Sequence, residues 1–324
     1  MPTVLKYAVG IVTQRKEKME TINIIKIILE EGAKYAILAM GVYLTYSILD
    51  FPDLSVDGTM PLGAIVSAVL IAQGFHPIIS ILAAIAAGGI AGCITGLLHV
   101  KLKIRPLLCG ILVFTALLSI NLIIAKAGTG GQSIVSIFGE NTIFTGKAAS
   151  LIPEAVGGVT IRKLIVLFII MIVVKILIDV YLKTKNGMLL QATGANEQFV
   201  VMLAKDPGKM KILGLSIGNA LAALSGAIVA QANETANTTM GTGMVVFGLS
   251  SVIIGLTLFR KVKFMKATTM VILGTIIYKA CLQIAVSLGL ASDYNKLLMV
   301  ILFIIALVLS GKLTRKGGNS NAQA

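Results

Sequence analysis

The 324-residue chain contains no tryptophan, two histidines, three cysteines and only 13% charged residues. A soluble domain averages about a quarter charged residues, so a water-soluble fold is excluded. The cysteines lie in apolar surroundings without metal-ligand spacing. Neither His76 nor His99 has a carboxylate or a second histidine at ligand spacing,. We therefore expect no metal site, no cofactor of its own and no catalytic centre in this chain.

What the chain has in abundance is apolar sequence: 56% of its residues are hydrophobic and its mean hydropathy is +0.94. Long apolar stretches recur from about residue 33 to residue 309. Within 164–178 the sequence is almost unbroken Ile, Val, Leu, Met and Phe, unlike the alternation of a barrel strand,. The sequence predicts an all-α, polytopic membrane helix bundle, with one transmembrane domain over residues 32–311.

Basic residues outnumber acidic ones by 28 to 14, which gives a formal net charge of +14. They fall mainly in short segments between apolar runs, a pattern that is typical of cytoplasmic loops rather than of nucleic-acid binding. We predict a multi-pass protein of the bacterial cell membrane, embedded in the lipid bilayer, with both termini cytoplasmic. Residues 1–31 would form a cytoplasmic segment with an interfacial amphipathic helix, and residues 312–324 a cytoplasmic tail.

The region 60–98 can be interpreted in two ways. As two full crossings, it would place the basic residues of 99–105 outside the cell, against the positive-inside rule,. As one net crossing, with 62–72 a half-helix or re-entrant segment, the charges agree. We predict about eight net crossings plus one broken or re-entrant segment, and an ordinary short helical hairpin remains the alternative. Broken membrane helices are tolerated where they are buried in protein or line a cavity, as in transporters.

Few residues could carry chemistry inside the spans. Lys175 and Asp179 are one helical turn apart and predict a structural ion pair,. Asn121 and Asn219 lie near the centres of their spans, where they could hydrogen-bond a solute or bridge helices. Two ladders of small residues at four-residue steps predict close helix packing; they comprise Ala84, Gly88, Gly92 and Gly96, and Gly214, Gly218, Ala222 and Gly226.

The long cytoplasmic loop 183–211 is too patterned to be a linker. Asn196 can cap a short helix that runs to about Ala204, and Asp206, Pro207 and Gly208 form a turn after it,. Two short helices on the cytoplasmic face would suit docking into a groove of a partner. The chain has no phosphate-binding loop, because Gly146-Lys147 is followed by Ala148 instead of Ser or Thr,.

Several segments together resemble the permease subunits of ABC importers of the branched-chain amino acid/ribose class. Residues 191–231 resemble their coupling loop and the helix that follows it. Residues 48–58, 97–104 and 112–121 resemble the tryptophan/tyrosine-type subgroup. The resemblance extends from about residue 33 to residue 311. It implies a subunit that is not an enzyme, with ATP and magnesium bound by a partner ATPase.

The resemblance also implies roles for individual residues. The positions expected to contact the ATPase subunit are Gly187, Gly194, Asn196, Glu197, Phe199, Val200 and Leu203. Residues 50–58 would lie near the external mouth, where an extracellular or periplasmic substrate-binding protein docks. With Asn121 and Asn219, Asp53 and Asp57 are therefore candidates for the substrate pathway. A second permease copy, most simply a homodimer, would complete the path.

These observations predict import of an amino acid or a related small solute by alternating access, powered by the separate ATPase. The first rival is a gradient-driven secondary transporter with a broken-helix site. The scarcity of ionisable groups within the spans argues against it. An intramembrane enzyme is disfavoured because no nucleophile–base pair or metal cluster is evident in the spans.

Overall fold

The computed structural model describes residues 2–146, 155–156, 159–262, 264–287, 289 and 294–318. For residues 2–20, 155–156, 159, 295 and 309–318 it describes the backbone only. The last six residues of the predicted tail 312–324 lie outside this range.

The described chain is dominated by helices, as the sequence predicts. One π-helical segment, Tyr43–Ile48, continues the first α-helix, and four short strands form two antiparallel pairs, β1 with β4 and β2 with β3. The elements are α1 Pro2–Val42, α2 Val56–Ala72, α3 Pro77–Leu102, α4 Pro106–Thr129, β1 Ile134–Ser136, β2 Ala155–Val156, β3 Val159–Thr160, α5 Arg162–Lys183, α6 Lys185–Ala195, α7 Glu197–Met202, α8 Pro207–Asn233, β4 Thr235–Asn237, α9 Met244–Leu258, α10 Ala267–Ser287 and α11 Asn295–Gly318.

Among the described residues, five helices are long and apolar enough to cross a membrane: α3, α4, α5, α8 and α10. Three shorter apolar helices accompany them, α2, α9 and the described part of α11. Proline at the first turn of α3, α4 and α8 fits helix starts, where no intrahelical partner for the missing N–H is needed,. The helical membrane fold is thus confirmed, while the number of crossings stays a prediction.

The bundle has two distinct ends, which we name by their elements. At the α6–α7 end, α8 begins directly after α7, and Gly208 of α8 lies against Val100 of α3. At the β1–β4 end, β1 follows α4 and pairs with β4, which follows α8. These contacts make α3 antiparallel to α8 and α4 parallel to it.

The glycine ladders pack as predicted. In α3, Gly88, Gly92 and Gly96 all face α8, and a Cβ on Gly92 would lie 2.3 Å from the carbonyl oxygen of Leu215. The ladder in α8 serves other neighbours, because Gly218 packs against Gly41 of α1 and Gly226 against α2. Small residues allow these close approaches in a setting where lipid supplies no hydrophobic drive.

In the region 60–98, α2 and α3 form two antiparallel helices joined by the turn 73–76, and Ser67 Oγ lies 3.0 Å from Ser80 Oγ across them. This is the geometry of the helical-hairpin alternative, while the number of crossings that the two helices make stays a prediction. The irregular backbone precedes α2, at residues 49–55, which we call the break segment. Leu49 contacts Gly214 near the start of α8, whereas Gly63 of α2 contacts Ala223 farther along it. The break segment therefore enters the bundle from the α6–α7 end.

Residues 1–31 are predicted to be a cytoplasmic segment with an interfacial amphipathic helix, and the side of the membrane on which they lie stays a prediction. Helix α1 is continuous through this stretch, and Lys26 Nζ donates to Thr160 Oγ1 at 2.5 Å, at the start of α5. The other end of the same helix reaches the carbonyl oxygen of Ile48, which lies against Gly194 of α6. Lys26 and the loop 183–211 thus lie at opposite ends of the bundle. Lys26 also forms an ion pair with Glu30 at 3.6 Å.

Candidate coupling surface and helix break

Helices α6, α7 and α8 each begin with a side-chain cap. Thr184 accepts a hydrogen bond from Gly187 N, Asn196 from Phe199 N and Asp206 from Gly208 N. These caps satisfy backbone donors that have no partner within the helix. The predicted cap of Asn196 is confirmed, and the loop 183–211 is a pair of defined helices.

One face of α7 is apolar and exposed. Phe199 is 51% exposed, Met202 81% and Leu203, which directly follows the helix, 51%. Val200 is fully buried and holds the helix against the bundle, so it does not present a surface to a partner as predicted. Met202 takes its place at the exposed face, although the sequence reasoning did not name it. Exposed apolar side chains grouped on one short helix are typical of a protein interaction site.

Two glycines keep α6 in close contact with its neighbours. A Cβ on Gly187 would lie 2.1 Å from the carbonyl oxygen of Tyr181, and one on Gly194 would lie 1.7 Å from that of Ile48. Gly194 is therefore the place where α6 touches the π-helical segment that leads into the break. Both glycines were predicted to contact the ATPase, and the structure gives them this internal packing role.

The break segment is stabilised by a buried polar network. Asp53 accepts hydrogen bonds from Ser55 N at 2.9 Å, from Ser55 Oγ at 2.6 Å and from Asn219 Nδ2 at 2.7 Å. Asp53 is 4% exposed, and the other two residues are fully buried. Buried polar groups need such partners, because an unpaired one would cost about 1–3 kcal/mol. The network joins the break segment to the middle of α8.

The other two substrate-pathway candidates also bind neighbouring helices. Asp57 accepts from Gly243 N at 3.0 Å and Val245 N at 2.7 Å, at the start of α9. Asn121 Nδ2 donates to the carbonyl oxygen of Gly58 at 2.9 Å. Asp53, Asp57, Asn121 and Asn219 therefore surround the break, and each holds helices together. This matches the helix-bridging alternative for Asn121 and Asn219, while a contact with solute stays a prediction.

Two groups of charged residues lie at the ends of the bundle. Near the α6–α7 end, Asp179 accepts from Lys175 at 2.8 Å, Lys266 at 2.9 Å and Thr268 at 2.6 Å, which confirms the predicted pair and extends it. Toward the β1–β4 end, Glu31 pairs with Lys34 and with Lys279. The sequence reasoning missed this second group.

Glu31 and Lys279 form a partly buried pair, with side chains that are 30% and 13% exposed. The two side chains are 3.3 Å apart, and Lys279 Nζ lies 3.8 Å from the ring centroid of Tyr35 and 5.1 Å from that of Phe247. The ammonium group thus has a carboxylate and two aromatic rings as partners. An ionisable residue inside a predicted span, here Lys279 in 267–287, was the signal that could have revealed it.

Two cavities open on the described surface. The larger, of about 700 Å³, lies between α3, α5 and α8 near the β1–β4 end. It is lined by His76, Pro77, Ile78, Ile81, Asn141, Thr142, Ile143, Gly146, Ile170, Leu224 and Ile228. The smaller, of about 250 Å³, is bordered by Glu31 and Lys279. Within the described part of the chain, no group of three or more His, Cys, Asp or Glu side chains could hold a metal ion.

Comparison with known proteins gives a consistent result. A family model described as the branched-chain amino acid transport system/permease component matches residues 24–307. The chain is 40% identical to the tyrosine transport system permease protein of Clostridioides difficile (strain R20291) over 288 residues, which is 89% of this chain and 91% of the relative. It is 24% identical to the ribose import permease protein of Escherichia coli (strain K12) over 307 residues, 94% of this chain and 90% of the relative.

Among solved structures, the fold is similar to a chain of PsaBC from Streptococcus pneumoniae in complex with Fab. The TM-score is 0.52 at 13% identity, with 91% of this chain and 95% of that chain covered. At this identity the likeness concerns the fold alone.

Proposed function

The chain belongs to the family of branched-chain amino acid transport permease components and is the permease subunit of an ABC importer, and we propose that α6 and α7 receive its ATPase subunit. The observation that carries this proposal is the exposed apolar face of Phe199, Met202 and Leu203 on a capped helix. A short helix with such a face suits a groove in a partner. ATP and magnesium would be bound by that partner.

The proposed docking fixes the orientation of the bundle in the membrane. If α6 and α7 meet an ATPase, the α6–α7 end faces the cytoplasm. The basic residues of 99–105 and 260–266 then also lie inside, in agreement with the positive-inside rule,. The stretch around Lys26 would lie outside, and α1, α2, α3, α4, α5, α8, α9, α10 and α11 would make nine passages. This arrangement replaces the eight crossings inferred from charge alone.

We propose an aromatic amino acid as the solute. The support is the 40% identity, over most of both chains, to a permease named for tyrosine transport. The cavity of about 700 Å³ near the proposed outer side is lined mainly by apolar side chains and is large enough for such a molecule,. The more distant ribose permease shows that the family as a whole is not restricted to amino acids.

The other components of the importer follow from the permease role. Two copies of this chain would enclose the path, each would contact one ATPase, and a substrate-binding protein would deliver the solute at the outer side. ATP binding would favour one of two conformations through its differential affinity for them, and this difference would drive alternating access. In this scheme the break segment, which follows the π-helical segment and contacts α8 through Asp53, is the flexible part between rigid helices.

The docking proposal is tested with the paired substitution Phe199→Asp and Met202→Asp. Two carboxylates on the exposed face should abolish co-purification of the ATPase and ATP-driven uptake of labelled tyrosine into proteoliposomes. The matched control is Phe138→Asp, at the β1–β4 end and 84% exposed, for which co-purification should be unchanged. ATPase binding that survives the paired substitution would place the docking site elsewhere.

The same proteoliposomes distinguish the gradient-driven rival and the solute class. Uptake should require ATP inside the ATPase-containing vesicles and should persist when proton and sodium gradients are dissipated. Uptake that follows a gradient without the ATPase would favour the secondary transporter. Competition by unlabelled tryptophan or phenylalanine, but not by leucine or ribose, is expected for an aromatic amino acid importer.

A further inference from the structure

Four side chains form a continuous series of contacts from α7 to the break segment. Glu197, the first residue of α7, forms an ion pair with Lys211 in α8. Lys211 Nζ lies 3.5 Å from Nε2 of His99, in the last turn of α3. The His99 ring meets the ring of Phe51 edge-on, with centroids 5.2 Å apart and an interplanar angle of 76°. We call Glu197, Lys211, His99 and Phe51 the link cluster.

The hydrogen bonds of His99 indicate which tautomer its neutral ring adopts. A lysine ammonium group can only donate, so Nε2 of His99 must accept from Lys211. The proton of the neutral ring then lies on Nδ1, which donates to the carbonyl oxygen of Ile104 at 2.8 Å,. Because both ring nitrogens are used, the ring plane is fixed. The edge that it presents to Phe51 is therefore fixed as well.

The position of Phe51 matters because of what surrounds it. Phe51 is 2% exposed, its N–H donates to the carbonyl oxygen of Thr45 at 2.9 Å, and it lies two residues before Asp53. Its predecessor Asp50 has a φ of 54°, the left-handed region that non-glycine residues seldom adopt,. A displacement of the His99 ring would thus act on a strained turn next to the network of Asp53 and Asn219.

Stability alone does not explain the ion pair of Glu197 and Lys211. Glu197 is about half exposed, and an ion pair at such a site contributes little to stability because solvent screens it,. Glu197 also lies two residues from Phe199, on the helix that we propose meets the ATPase. The pair therefore sits where a displacement of α7 would first reach α8 and α3.

We propose that His99 is a positioning residue for ATP-coupled transport, which carries a displacement of α7 through Lys211 to Phe51 and the break segment. This inference rests on the proposed docking of the ATPase at α7. Together with the direct contact of Gly194 with Ile48, it gives α6 and α7 one connection each to the segment that precedes α2.

The test uses two substitutions of His99 in the full importer. His99→Phe keeps a ring against Phe51 but removes the acceptor for Lys211. His99→Gln loses the ring but keeps an acceptor for Lys211 and a donor for Ile104. Four quantities are measured in proteoliposomes: ATPase co-purification, basal ATP hydrolysis, its stimulation by the tyrosine-loaded binding protein, and tyrosine taken up per ATP hydrolysed.

For His99→Phe we expect intact co-purification and basal hydrolysis, loss of the stimulation, and uptake per ATP lower on the order of tenfold, the size of typical coupling between sites. His99→Gln should restore part of the stimulation. If His99 served only as packing, the order would be reversed, because phenylalanine fills the space better than glutamine. Full stimulation in His99→Phe would overturn the proposal.

If the His99→Phe variant fails to assemble with the ATPase, a comparison of two lysine variants tests the link cluster instead. Lys211→Met keeps the aliphatic stem and removes both polar contacts, whereas Lys209→Met removes an exposed lysine two residues away. Lys211→Met should reduce uptake per ATP as His99→Phe does, and Lys209→Met should behave as the wild type. Equal behaviour of the two lysine variants would refute the link cluster. If wild-type uptake itself does not require ATP, the proposed function fails. This outcome differs from full stimulation in His99→Phe and from equal behaviour of the two lysine variants, which refute only the role of the link cluster.

Discussion

The contact between α3 and α8 provides a sharp test of the packing, because two glycines of α3 differ in how closely they approach α8. Gly92 points at α8, and a Cβ there would lie 2.3 Å from the carbonyl oxygen of Leu215 and 2.8 Å from Cβ of Asn219. At Gly89 the nearest atom to an added Cβ would be Ser216 Oγ, at the ordinary distance of 3.5 Å. Alanine should therefore be excluded at the first position and accepted at the second.

The expected change in stability follows from these distances. A carbon–oxygen contact is normally about 3.3 Å or longer, so Gly92→Ala would push the two helices apart by about 1 Å. Overpacking of this kind costs about 1–3 kcal/mol. Gly89→Ala meets no such contact and gains up to about 1 kcal/mol from the higher helix propensity of alanine. The two substitutions should therefore change stability in opposite directions.

Because the chain has no tryptophan, its cysteines are the better reporters of unfolding. Cys109 is buried, whereas Cys281 is exposed and Cys93 partly so. After accessible thiols are blocked with a colourless reagent, a thiol-reactive fluorophore reports the exposure of Cys109 on heating. We expect a midpoint several degrees below wild type for Gly92→Ala and at or above wild type for Gly89→Ala. Equal midpoints for the two variants would show that the α3–α8 contact is not as close as described.

Two further predictions concern buried polar groups. Glu31→Gln should lower the same unfolding midpoint more than Lys279→Met, because it leaves the ammonium groups of both Lys34 and Lys279 without their carboxylate, while Lys279→Met leaves the pair of Glu31 and Lys34,. The reverse order would contradict the assigned pairing. Asp53→Asn should reduce ATP-driven uptake, because an amide offers one acceptor oxygen where the carboxylate uses two,. Adding Asn219→Asp exchanges donor and acceptor and should recover part of the uptake; no recovery would argue against a direct bond between these side chains.

The features that could be predicted from the sequence depend on local spacing. The cap at Asn196, the ion pair of Lys175 and Asp179 and the glycine contacts of α3 all follow from residues one helical turn apart or from one helix face,. Such features are set by helix geometry and need no knowledge of the neighbouring helices.

The features that the sequence did not reveal depend on partners far away in the chain. Lys34 donates to Asn233 Oδ1 at 3.3 Å, and Lys163 donates to the carbonyl oxygen of Ala232. These bonds give partners to basic residues at the β1–β4 end, and a count of charges along the sequence cannot reveal them. The break segment has a similar long-range partner, because Asn219, 166 residues away in the chain, donates to Asp53.

Helix α8 connects three of the sites described above. Near its start Lys211 belongs to the link cluster, at its middle Asn219 binds Asp53, and near its end Gln231 Oε1 accepts from Ile143 N at 3.0 Å beside the larger cavity. A helix of 27 residues is about 40 Å long and transmits an axial shift along its whole length,.

Because side chains in a closely packed interior have few alternative arrangements, a small axial shift of α8 would change the contacts at all three places together. Gly92 and Gly96 of α3 lie close to the backbone of α8, and Ser216 Oγ of α8 donates to the carbonyl oxygen of Gly89 at 2.8 Å on the same face. We expect the distance between the start of α8 and the break segment to change with the state of the proposed ATPase partner. Spin labels on Lys209 and Asp50, both exposed, would measure it. We expect their separation to differ between ATP-bound and nucleotide-free importer, and an unchanged distance would argue against a moving α8.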